Sequence, residues 1–510
     1  MNKSDKSDKS DKSDKSVKEI KSTRGVCDKS DKSDKSDKNI RKRNITSELL
    51  ETFDKKFHKN PANIIARNAV TAVGSLWSTT NAVRRNQISH TFLNTVKKKN
   101  IKATNQGASG RCWMFAGLNT FRHLIIKLLN LEDFEFSEVY LFFFDKLERS
   151  NSYLNWFIEN RNKVDYNSKE YDYMVSDYMN DGGWYNTFAN LVLKYGLVPR
   201  SAMKETFQSE DSDAMNEIIK EILDSTANLL IKKKHEDSEK IKQKSLRQIY
   251  DTLIKFLGEP PKQFDFIFSI STDDDEDNKQ VVPNLTPISF RDMVVPEIWN
   301  SFVSLSNIPN VPYYEKYLIK KTNNIVEGEL NTLINLPIFE LTKYAVKSIS
   351  SGFAVWFVSD VGKHFNWFHS TLDDNLDDSK LVFGDTPSFN KAERILLKNT
   401  QGTHAMALTG FNLDNNDNVI NWQVENSWGF ADNETPGLDG FLTMSHSWFE
   451  KYVTQIVVCT AFVSRSIKNI TKKNPIELEP WDSVAPALKA GGKGGIPRGY
   501  DQILHRIKTN

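Results

Sequence analysis

The 510-residue chain has few cysteines, no long apolar run and no large excess of charge of either sign. Its three cysteines, Cys27, Cys112 and Cys459, are scattered, which fits neither a disulfide framework nor a zinc site. A reducing compartment is the simpler interpretation, and we expect no metal and no cofactor. The longest apolar run, residues 140–144, is far too short to cross a bilayer, so we expect no membrane association. A net charge of +2 gives no general reason to bind nucleic acid.

The composition of most of the chain is that of a folded enzyme. Apolar residues make up 39%, and 31 Phe and 11 Trp are among them. This length exceeds what one hydrophobic core usually supports, so we expect two or more packed subdomains. Residues 1–45 differ, because they contain two tracts of a Ser-Asp-Lys triplet and almost no apolar side chain. Such a segment cannot repay the entropy cost of ordering, and we predict a disordered tail there.

The order of helix-like and strand-like patterns predicts an α+β fold. Residues 113–129 have apolar side chains at spacings of three and four, which predicts a buried central helix. Ser137 is the predicted N-cap of a second helix, and residues 215–257 predict two more within a helical insertion around residues 205–345. The last third contains short runs typical of antiparallel strands, and we expect the functional site between the two parts. These runs are residues 354–358, 404–411, 419–426 and 441–444.

Cys112 has the sequence context of a reactive cysteine. It follows the turn-rich loop of residues 106–110 and begins the predicted central helix. The helix macrodipole and the free backbone N–H groups at this end favour thiolate over thiol, so we expect a lowered pKa and a nucleophilic sulfur. An inert buried cysteine is the competing interpretation, since a free cysteine often packs as a small apolar side chain.

A histidine and an asparagine favour the reactive interpretation. A thiolate nucleophile needs an imidazole to take and return its proton. His404 begins a predicted strand and shares one face with Met406 and Leu408, so its side chain points inward. An inward histidine is more often a satisfied core residue. Asn426, however, lies on the apolar side of its own strand, and a buried amide needs a partner such as an imidazole N–H.

Two further side chains complete the predicted site. Gln106 provides an amide N–H₂ that can join the Cys112 backbone N–H in an oxyanion hole. Trp428 follows Asn426 closely and is expected to shield the bond between Asn426 and His404 from water. A cysteine nucleophile, a histidine base and an asparagine that orients the base together indicate a thiol-dependent hydrolase.

Three stretches resemble the papain superfamily, and specifically its bleomycin hydrolase (aminopeptidase C) branch. They are Gln106-Gly-Ala-Ser-Gly-Arg-Cys-Trp113, Thr403-His-Ala-Met406 and Glu425-Asn-Ser-Trp-Gly429. The resemblance covers residues 45–482. Further similar stretches are Asn60-Pro61, Ala66-Arg67-Asn68, Tyr140-Leu-Phe-Phe-Phe-Asp-Lys146, Asp181-Gly-Gly-Trp184, Lys194-Tyr-Gly-Leu-Val-Pro199, Asp360-Val-Gly-Lys-His-Phe365 and Glu479-Pro-Trp-Asp482.

The resemblance implies a papain-like fold of two subdomains over residues 46–482, interrupted by the helical insertion. It also implies that Cys112, His404 and Asn426 form a catalytic triad, that Gln106 has the oxyanion role, and that a substrate peptide pairs with the backbone of residues 182–183. These two residues are Gly182 and Gly183.

The family resemblance further implies a cytoplasmic homohexamer that trims peptides from the amino end, with its C-terminal arm in the cleft. Family chains end soon after the motif at residues 479–482, whereas this chain continues through residues 483–510. Either self-cleavage removes this extension, or the arm is displaced and the enzyme acts as an endopeptidase.

Two other functions remain as alternatives. Short basic runs at residues 41–43, 97–99 and 232–234 leave open a nucleic-acid-binding assembly, although three short runs in a near-neutral chain are a weak footprint. An acyltransferase or transglutaminase shares the chemistry of the cysteine and the histidine. Those enzymes usually orient the histidine with Asp, so Asn426 argues against them.

Overall fold

The structure, a computed structural model, describes residues 44–98, 101–232, 235–270, 279–295, 297, 301–385, 387–429 and 440–491. The chain divides into two compact units after Gly74. The first unit contains the helices Ser47–Lys59 and Pro61–Val73, and neither helix has a buried side chain. Nearly all of the predicted tail, residues 1–43, lies outside the described residues.

The second unit contains the remaining elements. Its α-helices are Ser75–Thr79, Ala82–Gln87, Cys112–Leu128, Glu138–Asn160, Lys169–Ser176, Tyr185–Tyr195, Phe207–Glu210, Asp213–Lys232, Ser238–Leu257, Pro287–Val294, Ile338–Ser350, Ser379–Phe383, Lys391–Leu396, His446–Tyr452 and Arg465–Ile470. Short 3-10 turns lie at His235–Asp237, Trp367–His369 and Ala485–Ala487.

The strands form one large sheet and one small ribbon. In chain order they are β1 Asn94–Thr95, β2 Phe264–Ser269, β3 Lys279–Leu285, β4 Phe302–Ser306, β5 Glu315–Ile319, β6 Thr332–Asn335, β7 Val355–Ser359, β8 Phe365–Asn366, β9 Thr371–Leu372, β10 His404–Leu413, β11 Val419–Glu425, β12 Phe441–Ser445, β13 Val453–Cys459 and β14 Ile476–Leu478. The 12-stranded sheet runs β14-β5-β6-β4-β13-β7-β10-β11-β12-β9-β8, with β1 paired to β10, and β2-β3 is the ribbon.

The helix Cys112–Leu128, the central helix below, is buried along most of its length. Met114, Leu118 and Phe121, which have the predicted spacing, are almost fully shielded from solvent. The prediction of a buried helix over residues 113–129 is therefore confirmed. The Ser137 cap is confirmed too, because its Oγ accepts the Tyr140 N–H at 3.2 Å.

The predicted insertion at residues 205–345 is mainly helical up to residue 257 and contains both strands and helices after that. The helices Asp213–Lys232 and Ser238–Leu257 contact each other and the helix Glu138–Asn160. After them, β2 and β3 form the ribbon, and β4, β5 and β6 join the large sheet. Apolar runs of four or five residues do not distinguish strand from helix, which is why the sequence pattern did not show these strands.

The four predicted β-prone runs became β7, β10, β11 and β12. Most neighbours in the large sheet are antiparallel, as predicted, but three pairs are parallel: β9 with β12, β5 with β14, and β4 with β6. The mixed sheet and the helices together form the expected α+β architecture.

The helical and β-rich parts meet where the central helix crosses β7 and β10. The Trp356 Nε1–H on β7 donates to the Trp113 carbonyl oxygen at 3.0 Å, at the first turn of the helix. His404, the first residue of β10, pairs with Ser359 at the end of β7. The start of the helix and the start of β10 therefore lie side by side.

The described ranges contain neither a helix that could span a membrane nor a cluster that could hold a metal ion. None of the helices in those ranges combines the length and apolar character that crossing a bilayer requires. The same ranges contain no group of three or more His, Cys, Asp and Glu side chains placed to hold a metal ion.

Candidate active site

Cys112 is the first residue of the central helix and is 2% exposed. Its sulfur accepts hydrogen bonds from the backbone N–H groups of Cys112 itself, of Trp113 and of Ala405. The first two belong to the first turn of the helix, where a backbone N–H has no acceptor within the helix, as the sequence predicts. The third belongs to the residue after His404, so the start of β10 touches the sulfur.

His404 is 1% exposed, and its ring Nε2 lies 2.7 Å from Asn426 Oδ1. Asn426 Oδ1 also accepts the Ser427 N–H at 2.8 Å. Because a carbonyl oxygen only accepts, the histidine Nε2 must carry the proton. In neutral His404 the Nδ1 atom is then the basic one, and it has no hydrogen-bond partner among the described residues. Its lone pair is therefore available to take a proton.

Trp428 packs on the imidazole. The two ring centroids are 4.7 Å apart, with an interplanar angle of 31°. The Phe365 ring also contacts Trp428, with the two ring centroids 5.8 Å apart. Trp428 thus lies against the imidazole, and its role in shielding the His404–Asn426 bond stays a prediction.

Gln106 is fully buried in the loop before Cys112. Its Nε2–H₂ donates to the Ser109 carbonyl at 2.6 Å, and its Oε1 accepts the Ser427 Oγ–H at 2.6 Å. The Gln106 backbone N–H also donates to the Ser427 carbonyl at 2.8 Å. Gln106 thus links the loop of the predicted nucleophile to the residue after Asn426.

Gly182 and Gly183 form a backbone edge, and the chain's own C-terminal arm (residues 483–491) occupies it. Gly183 N–H donates to Ala490 O at 2.9 Å, and Ala490 N–H donates to Gly183 O at 3.1 Å. A Cβ on Gly182 would lie 2.1 Å from Gly491 O, and a Cβ on Gly491 would lie 3.4 Å from Cys112 Sγ. The arm therefore reaches the sulfur itself.

Burial changes the protonation of Cys112 and His404. It raises the pKa of the Cys112 thiol from 9.0 to about 11, although the three backbone N–H groups oppose the change. Burial also lowers the pKa of His404 from 6.5 to about 4, against the effect of the Asn426 bond. The expectation of a lowered Cys112 pKa is wrong for this covered state, because desolvation outweighs the stabilisation at the helix start.

A cavity of about 430 Å³ opens beside His404 and Trp428. The arm contributes Lys489 and Gly491 to its wall, and Asp177 and Asp360 add carboxylates. The Lys489 ammonium lies 3.7 Å from the Asp177 carboxylate. The cavity is large enough for an amino-acid side chain and has charges of both signs.

The sequence patterns did not single out Asp181. Its side chain accepts the Gly110 N–H at 3.3 Å and pairs with Lys146 at 2.6 Å, and its carbonyl accepts Trp113 Nε1–H at 2.7 Å. Asp181 therefore ties the glycine edge to the predicted nucleophile loop. The one sequence signal was its position before Gly182.

The sequence patterns also missed an ion pair that involves Arg111, the residue before Cys112. Arg111 is fully buried, and its guanidinium binds the Glu205 carboxylate through two bonds of 3.0 and 2.8 Å. Burial and the Arg111 charge act in opposite directions on Glu205, and its pKa is lowered overall. The two residues are 94 positions apart, and no local pattern connects them.

The geometry places a thiol, an imidazole with a free basic nitrogen and an orienting amide at one junction of helix and sheet. Such an arrangement is typical of thiol hydrolases. The Peptidase C1-like family model matches residues 44–485, so the chain belongs to the Peptidase C1-like family. The large sheet and the central helix are accordingly the two parts of a papain-like fold.

Known relatives match over nearly their whole length. Aminopeptidase C of Listeria innocua serovar 6a is 35% identical over 442 residues, which is 86% of this chain and 98% of the relative. Bleomycin hydrolase of Homo sapiens is 32% identical over 451 residues, 86% of this chain and 97% of the relative. A crystal structure of PepW from Lactobacillus rhamnosis HN001 superposes with a TM-score of 0.81 at 32% identity, covering 86% of this chain and 98% of that one.

Proposed function

We propose that the protein is a cysteine aminopeptidase in which Cys112 is the nucleophile, His404 the general base and Asn426 the residue that orients the base. The observation that carries the proposal is the His404 imidazole, whose Nε2 is held by Asn426 at 2.7 Å while Nδ1 stays unpartnered within the described ranges. The next residue on the same strand, Ala405, contacts the sulfur. The relatives named aminopeptidase C and bleomycin hydrolase support the same function.

The reaction follows from these groups. His404 Nδ1 takes the Cys112 proton, and the sulfur attacks the carbonyl carbon of the scissile peptide bond. The backbone N–H of Cys112 and the Gln106 amide are the proposed donors to the oxyanion that forms. His404 then gives its proton to the leaving amine, which departs and leaves a thioester on Cys112. Water, deprotonated by His404, hydrolyses the thioester and restores the thiol.

The arm explains a restriction to amino-terminal trimming. It pairs with Gly183 in the way an extended peptide would, so a substrate cannot pair with that stretch of backbone while the arm is docked. A substrate can then place only a short amino-terminal portion on the blocked side. The arm thus supports the exopeptidase over the endopeptidase alternative.

The extension beyond the arm is the proposed first substrate. Gly491 lies against the sulfur and the chain continues with Gly492, so hydrolysis of the bond between them would release the extension and leave a carboxylate on Gly491. Intact mass spectrometry of the wild-type protein and of a Cys112→Ala variant tests this. We expect a shortened wild type and an intact variant, and a full-length wild type would reject self-cleavage.

The catalytic roles are tested by hydrolysis of aminoacyl reporter amides under reducing conditions. We expect Cys112→Ser, His404→Ala and thiol alkylation each to abolish turnover. Comparison of free and N-acetylated peptides tests the exopeptidase proposal, and efficient cleavage of the blocked peptides would reject it. A Cys112→Ser variant with undiminished turnover would reject the nucleophile.

A homohexamer in the cytoplasm is the proposed state of the protein. The helices Ser47–Lys59 and Pro61–Val73 support assembly, because they have amphipathic sequences and no buried side chains. Cys112 and Cys459 are free thiols, which supports a reducing compartment. Light scattering coupled to size-exclusion chromatography would measure the assembly, and a monomeric mass would reject it.

A further inference from the structure

Glu425, the residue before Asn426, has a fully buried carboxylate that binds two side chains of the central helix. Its Oε1 accepts from Arg122 Nη1 at 3.1 Å, and its Oε2 lies 2.6 Å from His123 Nε2. The side chains of Glu425, Arg122 and His123 are each at most 1% exposed. One carboxylate thus joins the strand that precedes Asn426 to the helix that begins with Cys112.

Arg122 is itself fixed by several acceptors. It donates to the carbonyl oxygens of Lys102 and Phe134 and to the Asp133 carboxylate. Burial alone lowers the pKa of Arg122, but Glu425 and Asp133 raise it overall, so the guanidinium stays charged. Because these other acceptors hold Arg122 in place, a shift of the β11 strand would break the bond between Glu425 and Arg122.

We call Glu425 and its partners Arg122 and His123 the clamp, and its place at the end of β11 puts it next to Asn426. The pairing of β11 with β10 ends at Ala407 and Glu425, and its pairing with β12 ends at Glu425 and Phe441. Asn426 is thus the first residue beyond the paired registers, and there its N–H still donates to the Gly440 carbonyl oxygen at 3.3 Å. The side chain of Glu425 adds the bonds that join this end of β11 to the central helix.

We propose that Glu425 is a positioning residue, which sets the distance between Asn426 and the Cys112 helix through its paired bonds to Arg122 and His123. The proposal rests on the proposed peptidase function, since it assigns Glu425 a role in the same site. Glu425 acts through Asn426 and His404 and does not touch the reacting atoms. Its charge matters because a neutral amide cannot accept from both partners with the strength of a carboxylate.

The first test is Glu425→Gln, which keeps the shape and removes the charge. We expect kcat to fall roughly 10- to 100-fold, a share of the 10²–10⁴-fold that a positioned base typically contributes. We expect KM to change less than about threefold, because the substrate edge at Gly183 is untouched. The matched control is Asp133→Asn, which removes an exposed partner of Arg122 but leaves the strand bond in place, and its kcat should stay at the wild-type value.

A second pair of variants covers the case in which Glu425→Gln does not fold. In His123→Gln the amide N–H₂ reaches about where Nε2 lies and can still donate to Glu425, whereas His123→Phe cannot. We expect the phenylalanine variant to lose kcat and the glutamine variant to recover most of it. Equal kcat values in these two variants would contradict the proposal.

The rate at which iodoacetamide alkylates Cys112 is a readout that does not depend on turnover. A displaced Asn426 leaves His404 poorly oriented, so alkylation of Cys112 in Glu425→Gln should slow and its pH profile should shift. Loss of thermal stability with unchanged kcat and unchanged alkylation would mean a purely structural salt bridge and would overturn the proposal. An inactive wild type would reject the peptidase function, while the alkylation rates would still test the clamp.

Discussion

Removal of the C-terminal arm should make Cys112 more reactive. The perturbation is a chain that ends at Asp482, which lacks the residues that contact Gly183 and the sulfur. In the covered state the thiol has a pKa of about 11, and exposure to solvent should return it to 9.0 or below. The expected result is faster alkylation of Cys112 at neutral pH.

The size of the effect follows from two opposing terms. At pH 7 the thiolate fraction is about 1 in 10,000 for a pKa of about 11 and about 1 in 100 for 9.0, a gain of about 100-fold. A thiolate of lower pKa is intrinsically less nucleophilic, and over about two pKa units this costs about 8-fold. The net prediction is an increase of about 10-fold, and easier entry of the reagent into the open cleft adds to it.

The assay is iodoacetamide labelling at several times, followed by mass spectrometry of the peptides that contain each cysteine. Cys459 is an internal control, because it is 3% exposed in β13 and should stay protected while the truncated protein remains folded. Equal labelling of Cys112 with and without the arm, at unchanged protection of Cys459, would refute the reasoning. Labelling of both cysteines would instead report unfolding, and the shorter deletion of residues 490–510 would then replace the longer one.

Three further outcomes are expected. Asn426→Ala removes the amide oxygen that accepts from His404 Nε2 and should lower kcat by roughly 10²-fold or more, measured with aminoacyl amides. Arg111→Met leaves the buried Glu205 carboxylate unpaired and should reduce the free energy of unfolding by about 3–5 kcal/mol in urea titrations, whereas a merely exposed pair would cost under about 1 kcal/mol. Gly182→Ala places a methyl group 2.1 Å from the Gly491 carbonyl, so it should expel the arm and speed alkylation of the nucleophile without truncation.

The main elements of the site were predictable because each has a local signal. Apolar residues at spacings of three and four predict the central helix, which begins at Cys112. Alternation along the later run predicts the strand that begins at His404. The roles assigned to these side chains stay predictions until the variants are measured. The two glycines proposed to bind substrate were predicted only through the family resemblance, since their contacts are with residues far along the chain.

Glu425 shows why the rest could not be predicted. Side chains alternate between the two faces of β11, so Glu425 lies on the face away from Trp422 and Val424. A sheet covered on one side only would expose that face to water. The central helix covers that face at the end of the strand, so both faces are buried and Glu425 is 1% exposed. A pattern with a period of two cannot show that a helix about 300 residues earlier covers this face and supplies Arg122 and His123 as partners of Glu425.

The same distance explains the wrong expectation for the pKa of Cys112. The helix start was visible in the sequence, and its stabilising N–H groups are present in the structure. The arm that lies against the sulfur comes from the other end of the chain, and burial is the larger effect on the pKa of Cys112. Local sequence therefore predicted one of the two opposing causes and could not weigh them.

Linkage between the arm and the catalytic pair leads to a final prediction. Docking adds to the burial that keeps the thiol protonated, so it should be strongest below pH 9.0 and weaken toward 11, by at most about 3 kcal/mol. It also adds to the burial that keeps His404 neutral, so it should weaken as the pH falls from 6.5 toward 4, by at most about 3 kcal/mol. Hydrogen exchange at the Ala490 amide, corrected for the intrinsic rate, should show maximal protection between these limits. Cys112→Ser should remove the alkaline loss of protection and leave the acid loss unchanged, and a variant that keeps both would show that the arm does not sense the sulfur.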